Sequence, residues 1–229
     1  KDGVSAIGEV PTNRWDPALY FDEDPSVPDK TYTKIGGFIR DFRFNAKQFR
    51  IPPRVASQVA PVQQLALHAV YDAFKDARRQ PGTRDKEGRR IANAFDLRGP
   101  NFTTDAACAS SLAALQVAVK ALQDRDIDTA ITGGSDRSMN IPTYVKFCKI
   151  GALSPDHSSP FDQSANGFVM GEGAGVLILR RLEDAIADGD TIYAVIRGIG
   201  ASSDGKGKGI TAPNPIGQRL ALERAYHEA

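Results

Sequence analysis

The chain has 229 residues, 41% hydrophobic and 25% charged, with a formal net charge of +1. That length suits one large domain or two small ones, and the even charge balance leaves no footprint for nucleic acid or another polyanion. No apolar run approaches the ~18 residues of a membrane span, and Lys1-Asp2-Gly3-Val4 is not a signal-peptide start. Two distant cysteines, Cys108 and Cys148, do not make a disulfide framework and suit a reducing compartment, so a cytoplasmic setting is expected.

Residues 1–60 are rich in Pro, Asp and aromatics, with few periodic stretches. Trp15-Asp16-Pro17, Asp24-Pro25 and Val27-Pro28-Asp29 read as turns. Gly36-Gly37-Phe38-Ile39 and the series Phe42, Phe44 and Phe49 read as a loop region pinned by aromatic rings. A helix follows from Pro61 to near Arg78, with Val62, Ala66, Ala69, Val70, Ala73 and Ala77 on one face.

From Ile91 the pattern alternates between strand and helix. Phe102 to Ala106 reads as a short buried strand. Ala109 to Gln123 reads as a helix with Leu112, Leu115, Val119 and Leu122 on one face. Thr129 to Thr132 is a predicted strand ending at Gly133-Gly134, and Gly175 to Leu179 is a strongly apolar one. Leu182 to Ala187 is a short helix closed by Gly189. Thr191 to Ile199 alternates as another strand. Asn214-Pro215 opens a last helix through Ala229. Strands alternating with helices argue an α/β fold, with helices covering a buried sheet.

The chemistry concentrates at Asp105-Ala106-Ala107-Cys108-Ala109-Ser110-Ser111-Leu112. A strand ends there, the chain turns, and a helix begins at or just after Cys108. A thiol at the positive end of a helix dipole is favoured as thiolate. Small neighbours admit a carbonyl group, and free N–H groups of the turn are placed to stabilise an oxyanion. This is the logic of a nucleophile elbow, with sulfur in place of oxygen. By spacing alone, a cysteine between strand and helix also reads as a small buried residue.

The run from Gly99 to Leu112 closely resembles the active-site segment of ketosynthases. Three further segments resemble that family in the same order along nearly the whole chain. They are Glu9 to Asp16, then Ser154 to Asp162 with Gly167 to Gly175, and then Asp204 to Asn214. The wording is most similar to ketosynthase domains of multidomain polyketide or polyunsaturated fatty acid synthases. The resemblance implies a thiolase-like layered α-β-α-β-α fold, incomplete in this chain. Its N-terminal half would run to about residue 185, and a second half would start over residues 190–229. It implies that Cys108 takes an acyl group from the phosphopantetheine arm of an acyl carrier protein. A malonyl-type extender then loses carbon dioxide, and its carbanion attacks the acyl-cysteine. It further implies a homodimer pairing through residues 102–106, other synthase domains as partners, and no cofactor of the chain's own.

Two departures from the family stand out. His68, His157 and His227 are the chain's histidines, and none lies in a His-Gly-Thr or Asn-x-Gly-His context, so none is assigned a catalytic role. Near Gly88-Arg89-Arg90, a strand and a helical segment of the family are missing. Either the sequence collects parts of a larger synthase, or it is a truncated relative. Two alternatives therefore stand beside the condensing enzyme: a relative that only transfers or hydrolyses acyl groups, and a catalytically incomplete scaffold that shapes a partner's tunnel. Cys148 reads as a packed structural thiol, and Glu172 as an acid satisfying backbone amides in a glycine loop. Lys206 and Lys208 could meet a phosphopantetheine phosphate, or simply be solvated. Gly205-x-Gly207-x-Gly209 has the wrong spacing for a dinucleotide fingerprint, and no metal-ligand cluster is visible.

Overall fold

Prolines stand in the first turn of five helices among the described residues. The computed structural model describes residues 4–79, 91–207, 209 and 212–229. In it, Asp16 accepts a hydrogen bond from Ala18 N at the start of α1 (Pro17–Tyr20). Pro53 and Pro61 begin α2 (Pro53–Ala56) and α3 (Pro61–Asp76). After α4 (Ile91–Ala94), a single 3-10 turn, Ala107–Ala109, leads into α5 (Ser110–Gln123). Asn140 caps α6 (Ile141–Lys149) through Thr143 N, and Asn214 caps α8 (Pro215–Glu228) through Ile216 N. Between them lies α7 (Leu182–Ala187). The Asx–Pro openings work because the side-chain oxygen satisfies an orphan N–H while proline supplies none. Four strands complete the elements: β1 (Ile7–Glu9), β2 (Ile35–Gly37), β3 (Ala130–Asp136) and β4 (Gly173–Leu179). β1 pairs with β2 and β3 with β4. Among the described residues no helix is long and apolar enough to cross a membrane.

The chain divides into two units, one from residues up to His68 together with Ser135–Ala174, the other from Ala69–Gly134 together with Gly175–Ala229. In the first, β1 and β2 are antiparallel, with Ile7 opposite Gly37 and Glu9 opposite Ile35. Gly37 also bridges Gly171 in parallel: its N–H donates to Met170 O, and Glu172 N donates back to its carbonyl. Val10, Trp15, Phe38, Met139, Tyr144, Cys148 and Leu153 form the core. Tyr144 is fully buried, donates to Ile35 O at 3.0 Å, and meets the Trp15 ring edge-on. Burial, with the Glu172 charge and Cys148 adding to it, pushes the Tyr144 phenol above its ordinary range. Phe44 stacks on Phe49, so the aromatic pinning of residues 42–49 holds. The short strands and α6 escape prediction from the sequence, the strands because three residues show no periodicity. The Asn140-Ile141-Pro142 start is nevertheless a legible signal for α6.

In the second unit the buried residues of α3 are Val70 and Phe74, with Leu67 and Leu65 buried in its first half. The predicted alanine face is only half-buried, because larger side chains gain more from burial. β3 runs through Gly133-Gly134 instead of ending there. A Cβ on Gly133 would lie 2.0 Å from Gly175 O, so the glycine admits β4 to close range instead of breaking the strand. Gly189 closes α7 at φ +66, as expected. Arg181 donates to Leu122 O at 3.2 Å and Ile127 O at 2.8 Å, tying the end of α5 to the approach to β3.

Two predicted strands are not strands. Residues 102–106 are irregular, and Phe102 is 63% exposed. Residues 191–199 are irregular too, with Ile192, Tyr193, Val195 and Ile196 all exposed. Alternation prepares a segment to pair but does not provide the neighbour, and among the described residues neither has one. The apparent gap at Gly88-Arg89-Arg90 lies outside the described residues.

A Cβ at Gly36 would meet Met139 Cε at 2.4 Å and Tyr144 Oη at 2.6 Å. Gly36→Ala is therefore expected to cost about 1–3 kcal/mol of stability, as overpacking does, measured as a lower urea midpoint at unchanged slope.

Candidate active site

The residue before Cys108 holds the least comfortable backbone of the segment. Ala107 sits at φ +49, a left-handed conformation that costs a residue with a Cβ about 1–2 kcal/mol. Two side chains hold it there. Asp105 Oδ1 accepts from Ala107 N at 2.9 Å. Ser110 Oγ accepts from Ala106 N at 3.0 Å and donates to Ala107 O at 2.7 Å. Thr104 Oγ1 donates to Ser110 O, adding a further tie. The chain thus turns sharply at Ala107 and enters α5 two residues after Cys108. Cys108 is exposed, flanked by Ala107 and Ala109. Among the described residues its N–H has no acceptor. The turn and the helix head are where the sequence places them, although the approach to them is irregular and not a strand.

One helical turn beyond Cys108, Ser111 and Leu112 reach an apolar groove of about 370 Å³. Leu115, Thr132, Gly133, Gly134 and Gly175 to Leu177 complete its lining. A Cβ on Gly134 would come within 2.6 Å of Ser111 Oγ, so this glycine lets the head of α5 lie directly on β3. Ser111 and Gly134 both stand inside motifs singled out above, but nothing in their neighbouring residues marks this packing role.

The other singled-out residues fall elsewhere. Cys148 is buried, with Sγ 3.0 Å from Thr31 Oγ1, a packed thiol as expected. Glu172 accepts from Ile39 N at 3.1 Å, which agrees with its predicted backbone role. It does more than that: its fully buried carboxylate pairs with Arg14 at 2.8 Å and lies 3.6 Å from Arg137 Nε. Those arginines were not anticipated, since residues far apart in sequence give no local pattern. His68 is half-buried and packs edge-on against Phe42. His157 Nδ1 lies 2.7 Å from Asp156 Oδ1. Asn166 and then His157 hold the Asp156 carboxyl below its usual range. His227 is exposed in the last turn of α8. Lys206 is exposed at a bend, and Lys208 lies outside the described residues.

Known proteins are similar to this chain in sequence and in fold. The sequence profile for "Beta-ketoacyl synthase, N-terminal domain" matches residues 1–88 and 88–185. The chain is 37% identical over 263 positions to a phenolphthiocerol/phthiocerol polyketide synthase of Mycobacterium tuberculosis, covering 98% of this chain and 14% of that protein. It is 36% identical to the polyketide synthase PksL of Bacillus subtilis, covering 98% of this chain and 6% of that one. Among solved structures, the ketosynthase from module 6 of the bacillaene synthase of Bacillus subtilis superposes with a TM-score of 0.87 at 36% identity, covering 96% of this chain and 43% of that domain. An oxazolomycin ketosynthase domain from Streptomyces albus gives 0.88 at 30% identity, covering 97% and 46%.

The fold is accordingly part of a thiolase-like fold, and the chain spans less than half of the solved domains it matches. This chain belongs to the β-ketoacyl synthase family and covers its N-terminal part.

Removing the Glu172 carboxylate would leave two largely buried guanidinium groups facing each other without a counter-charge. Glu172→Ala is expected to destabilise the protein by about 3 kcal/mol or more, read as a shifted denaturant midpoint. Glu172→Gln, which keeps the shape and the acceptor for Ile39 N–H, loses less.

Proposed function

We propose that this chain carries the acyl-loading step of a ketosynthase, with Cys108 as nucleophile, in a synthase that elongates polyketide or fatty acyl chains. The observation that carries the proposal is the exposed Cys108 thiol in a pinned left-handed turn at the head of α5. The thiolate attacks the carbonyl carbon of an acyl thioester on the phosphopantetheine arm of an acyl carrier protein. The tetrahedral oxyanion then collapses, the old C–S bond breaks, the carrier sulfur leaves and takes up a proton, and the acyl group remains on Cys108. Sulfur-for-sulfur exchange is close to energetically neutral, which suits a reversible loading step.

Condensation would follow when a malonyl-type extender loses carbon dioxide and its carbanion attacks the acyl-cysteine, forming a β-ketoacyl thioester and freeing the thiolate. We assign no part of the decarboxylation to this chain's histidines: His68 packs on Phe42, His157 pairs with its neighbour Asp156, and His227 ends α8. Residues to about 185 are read as the N-terminal half and residues 190–229 as the start of the second. Two features support a segment skipped near residue 88: the profile match is divided there, and 263 aligned positions correspond to a chain of 229 residues. The exposed, unpaired residues 191–196 fit a strand of that second half. The two free cysteines fit a cytoplasmic setting.

Intact-protein mass spectrometry after incubation with short acyl thioesters tests the loading step. The expected result is a gain of one acyl mass that is absent in Cys108→Ala. A folded wild-type chain that takes up no acyl group would reject the enzymatic reading and favour the scaffold.

The exposed Phe102 segment is also the edge proposed for homodimer pairing. Light scattering is expected to give a dimer for the wild type and a monomer for Phe102→Asp; a wild-type monomer at high concentration would exclude that edge.

A further inference from the structure

The hydrogen bonds around Ala107 do more than hold a strained residue. A trans peptide bond points its C=O and its N–H in opposite directions. The Ala107 carbonyl belongs to the same peptide plane as the Cys108 N–H. Ser110 Oγ donates to that carbonyl at 2.7 Å, which fixes the plane and turns the Cys108 N–H away from the Ser110 hydroxyl. The preceding plane, Ala106–Ala107, is fixed by the bond from Ala107 N to Asp105 Oδ1 at 2.9 Å. The same Ser110 oxygen accepts from Ala106 N, so the next plane back is held as well. Three consecutive peptide planes are thus held by two side chains together with two backbone bonds, Ser110 N to Ala107 O and Ala109 N to Ala106 O, and the donor left unused, among the described residues, is the Cys108 N–H.

We infer that Ser110 and Asp105 are positioning residues that aim the Cys108 N–H at the oxygen of an acyl thioester bound at its thiol. The inference rests on Cys108 being the acyl acceptor. Neither side chain touches the reacting atoms. Their work is to keep Ala107 at φ +49, because relaxation to the ordinary right-handed region rotates the flanking planes and carries the N–H off target. The hydrogen bond gains strength as charge develops on the acyl oxygen, so its loss slows a step that forms an oxyanion. Alkylation of the same thiol by iodoacetamide displaces iodide at a saturated carbon and forms no oxyanion. The two reactions therefore separate the aim of the N–H from the reactivity and access of the sulfur.

The experiment compares both reactions on wild type, Ser110→Ala, Ser110→Thr and Asp105→Ala, following acyl transfer from a short acyl thioester and alkylation by iodoacetamide by mass. Ser110→Ala and Asp105→Ala are expected to lower the maximal rate of acyl transfer by about tenfold or more while alkylation stays within about twofold. Ser110→Thr keeps the hydroxyl and recovers most of the acyl-transfer rate. If both reactions fall together in the alanine variants, the residues hold the local fold and not the N–H, and the inference is overturned. Unchanged acyl transfer overturns it equally. A wild-type chain that alkylates normally but takes up no acyl group defeats the loading reading, and this one with it. Unchanged acyl transfer in the variants, by contrast, leaves the loading reading standing.

Discussion

Ala107 is held where a residue with a Cβ is uncomfortable, and the head of α5 takes its form from how that discomfort is met. Asp105 and Ser110 bond the backbone on either side of it, alongside the Ala109 and Ser110 N–H groups on the Ala106 and Ala107 carbonyls. With them, the turn stays sharp, the helix starts at Ser110, and the Cys108 thiol stands free between two methyl groups. The cost is about 1–2 kcal/mol. Two or three exposed hydrogen bonds of about 0.5–1.5 kcal/mol each are enough to offset it. The strain is therefore modest, local and confined to the residue beside the nucleophile.

The rest of the second unit supports that turn at both ends of α5. At its head, Gly134 leaves out a side chain so that Ser111 can approach closely, and Gly133 does the same for the Gly175 carbonyl of β4. At its tail, the Arg181 guanidinium adds a donor to the Leu122 carbonyl, which also accepts from Arg125 N, and places positive charge at the negative end of the dipole. Along the helix, Leu112 near its head and Val117 at its middle are exposed.

The first unit is organised around charge instead. Glu172, between two glycines, gathers Arg14, Arg137 and the Ile39 N–H onto one buried carboxylate. Segments separated by well over a hundred residues meet there. The backbone beside it is held by the parallel bridge of Gly171 to Gly37, with Glu172 N donating to Gly37 O. Burial of such a group demands partners, and the structure supplies them from regions with no regular secondary structure.

Much of this was legible in the residues alone. Local chemistry acts within a few positions, so the helix starts at Pro61 and Asn214-Pro215, the Gly189 stop, the apolar β4 and the turn at Cys108 could all be read before any fold was known. The family could be read too, because its motifs are long and stand in order. What the residues could not decide was anything that needs a partner from far along the chain. The alternation of Thr191 to Ile199 and the apolar Phe102 segment promised strands, yet a strand exists only when a neighbour accepts its hydrogen bonds. The stripe of α3 turned on Val70 and Phe74 because larger rings and branches found cover. Arg14 and Arg137 became partners of Glu172 only once three separate segments had folded onto it. The sequence determined where the chain turns, caps and carries its thiol. The tertiary structure alone decided which charges meet and which segments pair, because those interactions depend on distance in space.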